Sequence, residues 1–354
     1  MPSLVAIEAE AGEGFVAGLR RAWDRGDAVL PVDPRLPAPA RAAVLEALGA
    51  GLAVDDGDAL VVATSGSTGT PKGVVLTHDA LAAAAVAVST RLGVDPATDR
   101  WLACLPVSHM GGLGVVVRAV LTATPLTVRP AFDPSADATL VALVPTLLDR
   151  VDTRSYRVVL AGGSADWRIR DPNVVHTYGM TETGGGVVYD GVPLDGVEVR
   201  AGDDGQLLVR GPGLLRCYRD GTDPKDADGW LPTGDVGSVA DDGRVHVQGR
   251  VGDLIVTGGE NVWSADVEGV LRSHPGVADV AVTGRPDPEW GAAVVAIVVP
   301  ADPSSAPTLD ALRAWVKERR PAFAAPRRLV LVDALPRGEG GKVARSRLLD
   351  EPGP

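Results

Sequence analysis

Residues 64–73 read TSGSTGTPKG and follow the apolar run ALVVA at 59–63. Glycines, hydroxyl side chains, one proline and one lysine leave nothing in this stretch to pack a core. Its backbone is costly to order, because glycine loses more freedom on folding than any other residue. A glycine-rich turn instead gathers backbone N–H groups into an anion-binding concavity. Ser65, Ser67, Thr68 and Thr70 add hydroxyl donors and Lys72 adds charge, so the expected guest is a polyphosphate. The Walker A pattern is not met: Lys72 lies between Pro71 and Gly73, with no Ser or Thr after it to hold magnesium. The loop is read as following a buried strand and preceding a helix over 77–93, with Thr77 or Asp79 as cap and Gly93 as stop.

Working outward, "RWLACLP", "LTVRP", "RVVLAGG" and "NVVHTYG" read as short strands, and "GLGVVVRAVLTA" and "APARAAVLEALGAG" as helices. Strands alternating with helices predict an α/β core with parallel strands, which binds ligands at strand ends. From about Gly191 the pattern changes. "EVRAGDDGQLLVRGPG" and "GSVADDGRVHVQGR" read as hairpins with Asp-Gly turns, a small antiparallel region near 191–250. After Arg250–Asp253 come helix, two strands, helix and strand, an α+β unit of about 100 residues, domain-sized in itself. Two domains are therefore expected, 1–250 and 251–354.

The chain has 354 residues and a net charge of −12, which argues against nucleic acid or an anionic membrane surface as partner. Cys104 and Cys217 are too few and too far apart for a disulfide framework or a metal spacing. They are read as two buried, reduced thiols in a cytoplasmic protein. No signal peptide is seen at the N-terminus, and "LAAAAVAV" at 81–88 is too short to span a bilayer. Of 34 basic residues only Lys72, Lys225, Lys317 and Lys342 are lysine, and Lys72 and Lys342 both sit in glycine-rich runs.

Four further runs carry possible chemistry. "HTYGMTETGGG" at 176–186 holds Glu182 among hydroxyls and glycines. A carboxylate beside phosphate needs a bridging cation, and magnesium binds in that way. "GWLPTGDVG" at 229–237 offers Asp235, either as an Asx-turn or as an acceptor for a ribose diol. "GRVGDLIVTGGEN" at 249–261 marks the domain boundary, and "PRGEGGKVARSRL" at 336–348 places Lys342 on a glycine-rich loop.

These five runs, in this order, closely resemble the AMP-forming acyl-CoA synthetases of the adenylate-forming superfamily. The resemblance spans Thr64 to Arg345. It implies that family's fold: a large α/β N-terminal domain, truncated here because only 63 residues precede the loop, and a small mobile α+β C-terminal domain. It implies that Thr64, Ser65, Gly66, Ser67, Thr68, Gly69 and Lys72 hold the ATP phosphates. Gly162, Gly163, Tyr178 and Gly179 would flank the adenine. Thr181 would contact the α-phosphate, Glu182 would hold Mg²⁺, Asp235 and Arg250 would bind the ribose, and Lys342 would bridge acyl carboxylate and phosphate. The expected chemistry is acyl-AMP formation followed by thioester formation with coenzyme A.

Gly252 stands where the family usually has a polar hinge residue, and the hinge is expected to work still. "LPVSHMGGLGVVVRAV" at 105–120 and "YDGVPLDGVEV" at 189–199 are similar to short actinobacterial-type o-succinylbenzoate–CoA ligases of menaquinone biosynthesis. That acid has two carboxylates and only one is activated. His109 and Arg118 are candidates for the other. His109 reads equally as a packed loop histidine, and Arg118 as a helix-surface charge. Alternatives left open are another acyl- or aryl-CoA ligase, a carrier-loading adenylation enzyme, or a non-catalytic nucleotide binder. A homodimer is possible.

Overall fold

The computed structural model describes residues 1–8, 11–65, 71–148, 150–162, 171–337 and 343–348. The chain opens with β1 (Leu4–Glu8), α1 (Glu13–Asp24), β2 (Ala28–Val32) and α2 (Ala38–Ala47). Next come β3 (Asp58–Ser65), β4 (Pro71–Thr77) and α3 (His78–Leu92), then β5 (Trp101–Ala103), α4 (Met110–Leu121) and β6 (Leu126–Val128). β7 (Leu140–Leu143), α5 (Pro145–Leu148), β8 (Val158–Gly162), β9 (Val174–Met180), β10 (Gly185–Tyr189) and β11 (Val192–Pro193) complete the α/β part. Short strands β12 (Glu198–Ala201), β13 (Gln206–Arg210), β14 (Cys217–Tyr218), β15 (Leu231–Val239) and β16 (Val245–Arg250) follow. The last stretch holds β17 (Leu254–Thr257), β18 (Glu260–Trp263), α6 (Ser264–Arg272), β19 (Val277–Asp287), β20 (Gly291–Pro300), α7 (Leu309–Lys317) and β21 (Arg328–Leu331).

The chain forms two compact units. The first takes residues 1–202, 208–233 and 239–246; the second takes 203–207, 234–238 and 247–354. In the first unit a seven-stranded sheet runs β11-β10-β9-β8-β7-β5-β6. β6, β5, β7, β8 and β9 are parallel, and β10 and β11 turn back antiparallel. Its central strands β5, β7 and β8 are apolar runs, and Leu102, Val141, Leu143, Val159 and Ala161 join one buried cluster. A second sheet, β1-β2-β3-β4-β14, encloses another cluster with Leu4, Leu30, Leu48, Val61 and Val75.

Helix α3 begins and ends where its sequence says. The Thr77 hydroxyl accepts from Ala80 N at 3.2 Å, and Gly93 closes the helix in the left-handed region with φ 56°. The segment between the loop and this helix departs from the sequence reading. β4 stands there as a full strand, paired antiparallel with β3, so the glycine loop closes a hairpin. Pro71 opens β4, where a missing N–H is tolerated.

The second unit packs α6 and α7 on β19, β20 and β21, with Val267, Leu271, Val282, Val294, Val298, Leu312 and Val316 in its core. Fully burying such side chains contributes about 1.5–3 kcal/mol each. No helix among the described residues is long and apolar enough to cross a membrane. Cys104 is buried, and desolvation pushes its thiol up to about 11. Cys217, expected to be buried, is only half-buried, because it lies on the two-residue edge strand β14.

Candidate active site

Three segments of the first unit converge on one carboxylate. In the β3–β4 hairpin Thr64 lies opposite Lys72 and Ser65 opposite Pro71. The Thr64 hydroxyl donates to the Lys72 carbonyl at 3.3 Å, fixing both posts of the loop. Gly66, Ser67, Thr68 and Gly69 lie outside the described residues, as do Gly163 and Lys342.

The second segment is the turn from β9 to β10. Thr181–Thr183 make one turn of 3₁₀ helix. The Thr183 hydroxyl accepts from Met180 N at 2.9 Å and donates to the Gly185 carbonyl at 2.6 Å. Gly184 and Gly185 take φ of 65° and 118°, which only glycine adopts without strain. Gly179 is needed for a different reason: a Cβ there would meet the Gly185 carbonyl oxygen at 2.0 Å. The reversal is tight enough to bury Glu182, which is 9% exposed. Beside it, Gly162 of β8 lies opposite Thr177 of β9, so Gly162 and Tyr178 stand at adjoining strand ends.

The third segment, around β14, was not anticipated. Leu215 N donates to the Glu182 carbonyl at 2.8 Å, and Tyr218 pairs with Val74 of β4. The Tyr218 hydroxyl donates to Glu182 Oε1 at 3.1 Å, and Lys72 Nζ stands 5.0 Å from the centre of its ring. Of the other lysines, Lys225 is structural. Its ammonium donates to the Leu215 and Arg216 carbonyls and pairs with Asp223.

His109 and Arg118 are separated. His109 precedes α4 as its N-cap residue and is half-buried; nearby, the Arg35 guanidinium hydrogen-bonds Asp33 and holds its carboxyl below the usual range, with His109 the smallest contributor. Arg118 lies nine residues on, about 13 Å along the helix and half a turn round. Nor is it a helix-surface charge. It is 9% exposed, stacked 5.0 Å from the Trp101 ring, and its Nε and Nη1 have no hydrogen-bond partner. Burial lowers its pKa from the ordinary arginine value. It lines a narrow cleft with Leu81, Ala85, Met110, Gly114 and Gly186. The valines around Arg118 in sequence were the available signal for burial.

In the second unit Asp235 and Arg250 form an ion pair at 3.1 Å, with Asp235 buried and Arg250 open to solvent. Gly252 lies in the 3₁₀ turn Val251–Asp253. Its φ is not positive, and a Cβ there would meet nothing within 4 Å. Asp253 pairs with Arg345 Nε at 3.2 Å, and Arg345 also donates to Glu268 at 2.8 Å and to the Val282 carbonyl at 2.9 Å. Among the described residues no three His, Cys, Asp or Glu side chains cluster as a metal cage. A single buried carboxylate, Glu182, fits magnesium, which keeps its waters and takes phosphate oxygens for the rest of its shell.

Residues 54–219 match the AMP-binding enzyme family, and residues 266–342 match the AMP-binding enzyme C-terminal domain. A probable 2-succinylbenzoate–CoA ligase from Mycobacterium tuberculosis is 41% identical over 338 residues, covering 86% of this chain and 88% of that protein. The chain belongs to the AMP-binding enzyme family, with the 2-succinylbenzoate–CoA ligases. The same fold is seen in a solved family member, o-succinylbenzoate CoA synthetase of Bacillus subtilis in complex with its acyl-adenylate intermediate. Its TM-score is 0.88 at 26% identity, covering 99% of this chain and 88% of that one. The complex of that enzyme with ATP and magnesium gives 0.86 at 26% identity, over 98% and 89%.

Proposed function

We propose that this chain converts 2-succinylbenzoate, ATP and coenzyme A into the acyl-CoA thioester, AMP and pyrophosphate, as a step of menaquinone biosynthesis. The observation that carries this reading is the 41% identity over nearly the full length of a 2-succinylbenzoate–CoA ligase. The convergence of Lys72, Glu182 and the strand ends at Gly162 and Tyr178 supports it.

In the first half a carboxylate oxygen attacks the α-phosphorus and pyrophosphate leaves. Backbone N–H groups of 65–70 and the Lys72 ammonium hold the outer phosphates, and Gly162 and Tyr178 flank the adenine. Thr181 donates to the α-phosphate, and Glu182 would hold magnesium, which would supply positive charge against the phosphate oxygens. Asp235 accepts from the ribose hydroxyls, with Arg250 orienting its carboxylate. Lys342 stabilises the charge that develops between acyl carboxylate and phosphate. In the second half the coenzyme A thiol attacks the acyl carbonyl carbon and AMP leaves. Gly252, at the start of the C-terminal domain 251–354, is the hinge residue between the two halves.

Arg118 takes the carboxylate that is not activated. Its two unpartnered nitrogens are buried, and a buried cation without a partner is costly until an anion arrives. His109, the N-cap residue of α4, is the second candidate for that carboxylate, with a packed loop histidine as its alternative. The reaction runs in the cytoplasm with small molecules as partners; a homodimer is tested by sedimentation.

The test is pyrophosphate release from ATP, with and without coenzyme A, on 2-succinylbenzoate, benzoate, a medium-chain fatty acid and several amino acids. Turnover with 2-succinylbenzoate, and thioester only when coenzyme A is present, is the expected result. Turnover with another acid alone would overturn the choice of substrate.

A further inference from the structure

Lys72 and Glu182 sit on segments held together by one strand, yet they form no ion pair with each other. Residues 215–219 are tied on one side to the turn that carries Glu182, through Leu215 N and the Glu182 carbonyl at 2.8 Å. On the other side they are tied to β4, through Arg216 N to the Val75 carbonyl at 2.9 Å and Arg219 N to the Gly73 carbonyl at 2.7 Å. Between these ties the phenol of Tyr218 meets both charges. Its hydroxyl holds one oxygen of the carboxylate, and the ammonium lies over its ring face.

We propose that Tyr218 is a positioning residue: it orients the Glu182 carboxylate through Oε1, leaving the other oxygen for a divalent cation, and it holds Lys72 over its ring. This rests on the function proposed above. A direct Lys72–Glu182 salt bridge would neutralise both groups before ATP arrives. The ring attracts the ammonium without neutralising it, because a cation–π contact adds no negative charge. The hydroxyl is a neutral donor. Partners that orient a metal-binding carboxylate typically account for 10–100-fold in metal affinity. Asp220, next to it in the turn after β14, also faces Lys72, whose charge contributes to lowering the Asp220 pKa behind its bonds with Thr222. Lys72 is therefore balanced between an exposed acid and the ring.

The two halves of the phenol can be separated by substitution. Tyr218→Phe keeps the ring and deletes the donor; Tyr218→Leu deletes both. The readouts are the affinity for Mn²⁺, by electron paramagnetic resonance with a non-hydrolysable ATP analogue bound, and the affinity for the analogue without metal, by calorimetry. Tyr218→Phe is expected to weaken Mn²⁺ about 10-fold and leave the metal-free analogue within about 2-fold. Tyr218→Leu is expected to weaken both. Rescue of the Mg²⁺ requirement for pyrophosphate release at raised Mg²⁺ should occur for Tyr218→Phe only. Unchanged Mn²⁺ affinity in Tyr218→Phe, or equal loss of both affinities, would overturn the assignment. If the unaltered protein fails to bind the ATP analogue, the functional reading itself falls; if it binds and Tyr218→Phe behaves identically, only the role of Tyr218 falls. Tyr218→Phe is nearly isosteric, so it decides the matter even if Tyr218→Leu fails to fold.

Discussion

Replacing Arg345 by methionine deletes three contacts at once: 3.2 Å to Asp253, 2.8 Å to Glu268 and 2.9 Å to the Val282 carbonyl. Glu268 Oε1 also accepts from Val282 N at 2.8 Å, so the arginine and a strand backbone share one buried carboxylate. Breaking a buried pair by removing one partner costs about 3–5 kcal/mol. The Arg345 side chain is 32% exposed, so solvent screening brings the expected loss to about 2–3 kcal/mol. For a unit of this size that corresponds to a fall of roughly 10–15 °C in its melting transition. Burial already raises the pKa of Glu268 and of Asp253, while Arg345 opposes the rise in both. A carboxyl with a raised folded-state pKa contributes stability that is full below its ordinary value and is lost as pH climbs through the raised one. Without the arginine both values climb further. The deficit of Arg345→Met should thus be largest near pH 8 and shrink as pH falls toward 5. Calorimetry of both proteins across that range reads it directly. A deficit under about 0.5 kcal/mol, or one that grows on acidification, would refute the reasoning.

Lys342→Ala should abolish pyrophosphate release and leave thioester formation from preformed acyl-adenylate largely intact; equal loss of both halves would remove the two-state scheme. Arg118→Met should raise KM for 2-succinylbenzoate at least 10-fold while changing benzoate, if it is turned over, by less than about 3-fold. A parallel rise for both acids would show that Arg118 serves the fold alone. Gly252→Ala should leave the fold intact and raise stability by about 0.4–1 kcal/mol in urea unfolding, since its φ is not left-handed and the added methyl meets nothing. Destabilisation would show that the hinge turn needs glycine.

Much of the architecture is readable in local chemistry. Thr77 and Gly93 bracket α3 through capping, and Asp-Gly pairs mark the turns after β12 and β15. What escaped was short or disguised. β1 and α1 lie in an Ala- and Arg-rich stretch with weak local signals, although Phe15, Leu19 and Ala22 repeat at helical spacing on a buried face. β4 hides because Pro71 and Gly73 punctuate its first residues, and punctuation reads as loop. β14 is two residues long, below any periodicity, and Tyr218 sits in it without a motif. Glu182 was found because its glycine setting is unusual; its hydroxyl partner comes from 36 residues away, and local pattern holds no record of such a distance. The separation of His109 and Arg118 was in the sequence all along, since nine helical residues amount to two and a half turns.

The hairpin beneath residues 66–70 has a consequence for how this protein can vary. Both ends of the loop are anchored in register by β3 and β4, whose apolar side chains are buried from Leu60 to Val62 and from Val74 to Leu76. A slip of one residue would move every one of those side chains into the packing of the opposite buried face, where its neighbours do not fit. Insertions between Ser65 and Pro71 therefore cannot propagate into the sheet, and each extra residue adds only slowly to the closure cost. Loops of other lengths and compositions could be grafted onto the same two posts with Lys72 left where it stands, a replaceable bit in a fixed chuck.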